Sequence, residues 1–215
     1  MHLRVNKGYE YFINGIWSFE KSKLELIVIL IVIVRVILIF SIEVKSDSNV
    51  MQYKKAFREI RTNLNYKNDP VLFMTNIDIQ GNSSIIGIEI FKSKVPMTSA
   101  HFLNSIGSNM QKEYLVANKF DNYLLQVSSN FDTTKIPLEI KEDIKHKQRG
   151  TVGLSRDLRF KNSGSDDYYI TVGESDKSAL NGQYTIFGEV IYGKEKLDKI
   201  QRNSKFIDQY LIEIN

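Results

Sequence analysis

Any chemistry in this chain has to be done without cysteine and with very little histidine. No cysteine occurs among its 215 residues. That excludes a thiol nucleophile, Cys-ligated zinc, disulfides and lipid attachment at cysteine, and it is compatible with any redox compartment. The three histidines, His2, His101 and His146, lie far apart without ligand-like spacing, so neither a metal site nor a cofactor is expected. The net charge of +4 comes from lysines scattered among acids. The most basic stretch, Lys141 to Arg149 (KEDIKHKQR), contains Glu142 and Asp143 and no aromatic residue. A nucleic-acid surface needs a basic stripe with stacking residues, so nucleic acid is not an expected partner.

The elements that would position functional groups fall into two contrasting parts. From Leu24 to Val44 the chain reads LELIVILIVIVRVILIFSIEV, and its uninterrupted apolar run, Leu26 to Ile42, is 17 residues long. That is the short end of what crosses about 30 Å of hydrocarbon. A central Arg35 costs roughly 2.5–3.5 kcal/mol, whereas each Leu, Ile, Val or Phe returns about 0.3–0.6, so the span is expected to insert. The alternative is a buried strand or helix of a soluble core, but a strand of this length is unusual. A cleaved signal peptide fits less well than an uncleaved signal anchor, because the run exceeds roughly 7–15 residues and no small-residue site follows it. Lysines and arginines flank both ends (Arg4, Lys7, Lys21 and Lys23 before; Lys45, Lys54, Lys55, Arg58 and Arg61 after), so charge leaves the orientation open. Gly8 to Phe19, with Trp17 near the span, reads equally as an interfacial belt or as a short tail.

Residues 46–69 are polar, with a helix-compatible piece (NVMQYKKAFREIRTNL), and read as a tether or short juxtamembrane helix ending before Pro70. Then the period changes to two. VLFMTNIDI, QGNSS and IIGIEIF predict a hairpin around a Gly-containing turn. A helix starting at Thr98 or Ser99 follows Pro96, with Phe102, Leu103 and Ile106 on its apolar face. Strand-like runs come at Tyr123–Val127, Thr151–Leu154, Tyr168–Val172 and Tyr184–Val190, a second helix at Lys194–Ile200 and a last strand at Tyr210–Ile214. Many short strands with two helices suggest a closed β-barrel with helical caps.

The same residues resemble the cyclophilins, a family of peptidyl-prolyl cis-trans isomerases. IIGIEIFKSKVPMTSAHFLNSI is similar to their second strand and first helix, and RGTVGLSRD (Arg149 to Asp157) to a strand of the bacterial type. SGSDDYYITV and ALNGQYTIFGEVIYGKEKLDKI are similar to the family's S-Q-F-F-I strand and its L-D-G…V-F-G…K-I ending. These pieces follow the family's order across residues 70–215. The resemblance implies a mainly β fold: a closed antiparallel barrel of about eight strands capped by two helices, preceded here by one transmembrane helix. The implied division is a tail at 1–23, an anchor at 24–44, a linker at 45–69 and a cyclophilin-like domain at 70–215.

What such a site must do is lower a barrier of about 18–20 kcal/mol to rotation about an X-Pro amide, with no covalent intermediate. In the family an apolar pocket holds the proline ring, and an Arg about eight residues before a Gln favours the twisted amide. Gln126 matches that Gln, Tyr123 and Leu124 match a Phe-Met pair, and the Arg position falls on Asn118. The family's Gly-Gly becomes Ser128-Ser129, the Gln of S-Q-F-F becomes Asp167, and the pocket Phe becomes Tyr169. The Trp position is Ala179, followed by Leu180, and a pocket His becomes Tyr184. Ser155 and Arg156 stand beside the groove, with Arg156 the substitute donor. Lys119 would point to the other face of its strand. The resemblance therefore assigns Asn118, Gln126 and Arg156 to catalysis, and Tyr123, Leu124, Ser155, Asp167, Tyr169, Leu180 and Tyr184 to substrate binding. Tyr123, Tyr169 and Leu180 also read as ordinary barrel core.

Three functions follow from this pattern. One is a membrane-tethered isomerase of reduced activity on proline-containing protein segments. Another is a catalytically inactive chaperone or adaptor that still binds peptides. The third is a scaffold whose membrane segment meets a partner complex. Analogy with exported bacterial cyclophilins puts the C-terminal domain outside the cytoplasm, on the periplasmic side.

Overall fold

The computed structural model describes residues 27–37, 48–62, 69–107, 113–129 and 134–213. The chain divides into two units, residues 1–49 and 50–215. In the first, residues 27–37 are helical, and the Ile, Leu and Val side chains along them are exposed. The rest of the expected 24–44 span lies outside the described residues. Among those described, no helix is long and apolar enough to cross a membrane.

The second unit is a closed barrel. Its strands are β1 (Val71–Ile77), β2 (Ser83–Ile90), β3 (Tyr114–Phe120), β4 (Leu124–Ser128), β5 (Thr151–Leu154), β6 (Tyr168–Thr171), β7 (Ile186–Tyr192) and β8 (Lys205–Ile212). They close in the order β1-β2-β7-β5-β6-β4-β3-β8, every pair antiparallel. Alternation sends Leu72, Met74, Ile86, Ile88 and Ile90 into the lumen with Tyr168, Phe187 and Phe206. Helix α2 (Pro96–Gly107) inserts Phe102 against Phe187 and Tyr168, with ring centroids 4.6 and 5.5 Å apart. It starts at Pro96, ahead of the expected Thr98 or Ser99, because proline is pre-shaped for a first turn and lacks an N–H to satisfy. The Glu139 carboxylate accepts from the Thr98 N–H at 2.9 Å, supplying a helix-start partner from a distant segment.

Three elements differ from the expectation. Lys194–Lys199 is a 3₁₀ helix rather than an α-helix, entered from Gly193 in the left-handed region at φ 73°. The last strand begins at Lys205 and ends at Ile212, earlier than expected. Tyr184 lies in a turn before β7, not on the strand.

The polar stretch before the barrel also takes on a role not expected of a tether. Residues 48–62 form helix α1, and Tyr53, Ala56 and Ile60 on one side of it are buried against Val71 and Phe73 of β1. The Tyr53 ring stacks between Phe73 and Tyr210, each 5.8 Å away, and its hydroxyl meets Thr75 Oγ1 at 2.5 Å. This explains why β1 reads VLFMT without alternation: Leu72 and Met74 face the lumen, and Val71 and Phe73 face α1.

Candidate functional site

The outer face of β3, β4, β6 and β5 carries the candidate site. The β3–β4 connection is a tight turn in which Asn122 adopts φ 57° and the Tyr123 N–H donates to the Phe120 carbonyl at 2.9 Å. A β-bulge between Val116 and Asn118 re-aims β3 so that Asn118 stands directly opposite Gln126. Gln126 is in turn opposite Tyr169, and Tyr169 opposite Gly153. Side chains at directly opposed positions share a face, so these residues form one row across four strands. Leu124, two residues before Gln126, joins the same face. Asn118 Nδ2 donates to Gln126 Oε1 at 3.0 Å.

A hollow of about 420 Å³ opens beside Gln126, lined by Ser155, Arg156, Asp167, Lys135 and Phe160 among others. Asp167 Oδ1 accepts from both Ser128 Oγ and the Ser129 N–H at 3.0 Å, so two of the departures noted in the sequence contact each other. Its backbone carbonyl takes the Ser155 N–H at 2.9 Å. Arg156 lines the hollow, but its guanidinium is already engaged. Nε donates to the Gln183 carbonyl at 2.6 Å, one terminal nitrogen to the Asp157 carbonyl at 3.2 Å, and the group lies 5.3 Å from the centre of the Tyr184 ring. It stands at the rim of the hollow against Tyr184, with Nε and one terminal nitrogen on backbone carbonyls.

Tyr169 is only 3% exposed, and Tyr184 meets it edge-on at 5.4 Å. Burial, with Tyr184 and Tyr123 nearby, pushes the Tyr169 hydroxyl far above its ordinary pKa, so it is a neutral donor. Tyr184 also lines a second hollow of about 250 Å³ with Ile140, Ile144 and Ile186. Tyr123 sits under the Lys177 ammonium, 5.1 Å from its ring centre, and Leu180 ends a short 3₁₀ turn, Ser178–Leu180, half-buried. The structure thus joins Asn118, Gln126 and Tyr169 in one row, and Gln126, Ser155, Arg156 and Asp167 around one hollow. Lys119 turns away from Asn118, with Nζ on the Asp198 carbonyl at 2.8 Å.

The residue that sequence reasoning missed is His146. Its Nε2 lies 2.6 Å from the Tyr169 hydroxyl and its Nδ1 2.8 Å from Asn181 Oδ1. Burial pushes its pKa below the ordinary value, opposed by the Asn181 bond. A histidine inside KEDIKHKQR carries no periodic or ligand-spacing signal, so nothing in the sequence marked it. Among the described residues no cluster of His, Asp or Glu could hold a metal ion.

Comparison with known proteins bears on the same region. The family model described as cyclophilin type peptidyl-prolyl cis-trans isomerase/CLD matches residues 75–212, more than half of the chain. The peptidyl-prolyl cis-trans isomerase-like 3 of Gallus gallus is 28% identical over 126 residues, covering 54% of this chain and 76% of that protein. A peptidyl-prolyl cis-trans isomerase of Acinetobacter baylyi is 24% identical over 136 residues, covering 59% and 71%. With relatives from animals, plants and bacteria alike, the bacterial type is not singled out. A Cryptosporidium parvum cyclophilin-type isomerase shares the fold, with a TM-score of 0.53 at 20% identity, covering 67% of this chain and 98% of that one. Another structure of that protein, determined in the presence of the dipeptide Ala-Pro, gives a TM-score of 0.52 at the same 20% identity, covering 66% and 99%. The isomerase relatives and the barrel together support isomerase activity, and the chain belongs to the cyclophilin-type peptidyl-prolyl cis-trans isomerase family.

Proposed function

We propose that the chain is a membrane-tethered peptidyl-prolyl isomerase that acts on X-Pro bonds of extended protein segments with reduced turnover. The observation that carries this reading is the Asn118–Gln126 bond. The row presents a binding surface, but the side chain at the donor position is a short neutral amide already committed to its neighbour. Removing one preorganised donor typically costs about 10²–10³ in rate. A proline-containing ligand is supported by the relative studied with Ala-Pro. The tether rests on the apolar run Leu26–Ile42, of which residues 27–37 are helical with exposed Ile, Leu and Val. In this reading the domain faces outward from the cytoplasm and residues 1–23 inward, as the resemblance to exported bacterial cyclophilins implies.

The same bond favours a second reading, an inactive peptide-binding chaperone or adaptor. An isomerisation assay of the full chain on an Ala-Pro peptide, run beside a binding measurement with that peptide, separates the two. Measurable turnover well below that of an ordinary cyclophilin supports the first reading. Binding without turnover supports the second, and turnover at the ordinary level removes the claim of reduced activity. Protease added to intact cells or spheroplasts should remove the domain, and full protection would reverse the topology.

A further inference from the structure

Two donors converge on one oxygen next to the groove. The backbone N–H of His146 and its ring Nδ1 both lie 2.8 Å from Asn181 Oδ1. A backbone N–H can only donate, so the Asn181 atom facing it is the acceptor oxygen, and the Asn orientation follows. An amide oxygen cannot donate, so Nδ1 must carry the ring proton. In the neutral imidazole Nε2 then holds a lone pair, and it accepts from the Tyr169 hydroxyl at 2.6 Å. The two rings lie nearly parallel, 13° apart. Tyr169 also lies against Gly153, where a Cβ would overlap the hydroxyl end of the ring. The ring is therefore seated by a backbone without a side chain below it and by a hydrogen bond at its tip.

We propose that His146 is a positioning residue that couples the substrate groove to pH: neutral, it holds Tyr169 in the row with Gln126, and protonated, it releases it. Protonation puts an N–H on Nε2, facing a hydroxyl that had been donating to it. Tyr169 then has to redirect its proton, and a buried donor without an acceptor is costly. The ring shifts and the wall beside Gln126 is lost. This inference rests on the reading of that row as the proline-peptide site.

The surroundings leave the ring as the group that titrates. Tyr184, from the turn before β7, and Tyr123, from the β3–β4 turn, are the phenols that face Tyr169. Gly153 of β5 brings no charge. On the segment carrying His146, Lys147 is paired with Glu189 at 2.6 Å and Lys145 is exposed. The Arg156 guanidinium lies on Tyr184. The influences on His146 are burial and Asn181, with no carboxylate among them.

Long-range ¹⁵N NMR of the histidine rings in the full chain, in detergent micelles, reads the tautomer directly. The affinity of an Ala-Pro-containing tetrapeptide is followed in parallel from about pH 8 downward through the His146 midpoint, which burial places below the ordinary histidine value. The expected result is an Nδ1–H neutral ring at the upper end. As His146 titrates, affinity should fall roughly two- to tenfold, the size of one hydrogen bond, with the same midpoint. Tyr169→Phe should give a flat profile whatever its plateau, and so should His146→Gln, whose neutral amide offers an acceptor at every pH. An Nε2–H tautomer, an affinity that ignores the His146 midpoint, an inflection that survives Tyr169→Phe, or no peptide binding at any pH would each overturn the proposal. Binding that tracks His146 without turnover sinks only the isomerase reading and leaves this one standing.

Discussion

Asn118 and Gln126 face each other across the β3–β4 ladder, and the amide of the first donates to the Oε1 of the second at 3.0 Å. A guanidinium at position 118 would carry a permanent charge and a fork of donors long enough to reach past Gln126. Asn118→Arg should therefore raise isomerisation of a proline peptide by about 10- to 1,000-fold, the range of one electrostatic donor. Tyr169→Ala should weaken peptide binding in both backgrounds, since it removes wall rather than charge. An unchanged rate in Asn118→Arg, with binding retained, would mean that the groove no longer twists the amide.

Stability should depend on pH through His146. Burial lowers its folded pKa below the ordinary 6.5. Between the two values the unfolded chain binds a proton that the folded one does not, so stability falls as the solution is acidified. The contribution is complete above about pH 6.5 and is lost as the pH falls through the lower, folded value. Urea unfolding of wild type and His146→Gln at a series of pH values checks this, and parallel curves would contradict it.

Helix α1 should belong to the folding unit. Tyr53, Ala56 and Ile60 are buried on β1, so a chain begun at Val71 exposes Val71 and Phe73 to water. A chain begun at Ser46 should unfold cooperatively, whereas one begun at Val71 should be markedly less stable or aggregate. Within the longer chain, Ile60→Ala should cost about 2–5 kcal/mol, as for other large-to-small core changes. A cost under about 0.5 kcal/mol, typical of surface sites, would show that the helix is not packed in solution.

The full chain should fractionate with membranes and resist alkaline carbonate extraction, because residues 26–42 are apolar apart from Arg35 and Ser41. Recovery in the soluble fraction, or trimming near Glu43, would remove the anchor from the proposed function.

Much of the barrel was legible from short apolar runs broken by turn residues. VLFMTNIDI, although its first residues do not alternate, pairs with IIGIEIF around the QGNSS turn, and Asp78 Oδ1 holds that turn by accepting from the Gln80 and Asn82 N–H groups at 2.8 Å. The resemblance put Gln126 and Tyr169 in one groove, and the register sets them opposite each other. The missed features depend on contacts between distant segments. The apolar side of α1 is diluted by Lys54, Lys55, Arg58 and Arg61, so the helix read as a tether. Ser128 and Asp167 each looked like a loss, and only the pairing of β4 with β6 shows one answering the other. That Arg156 Nε rests on the Gln183 carbonyl was not legible, because a sequence does not show which carbonyls are within reach.

The packing of α1 has a mechanical consequence. Residues 1–49 are covalently joined to the barrel only through this helix, so tension from that end enters the domain at the Tyr53 stack on Phe73 and Tyr210. The helix is held to β1 through side chains, whereas β1 is hydrogen-bonded along its backbone to β2 on one side and β8 on the other. The row containing Gln126 lies on β3, β4, β6 and β5, none of which the helix grips. The domain thus has a sacrificial strap: a pull can strip α1 before it distorts the surface that meets the substrate.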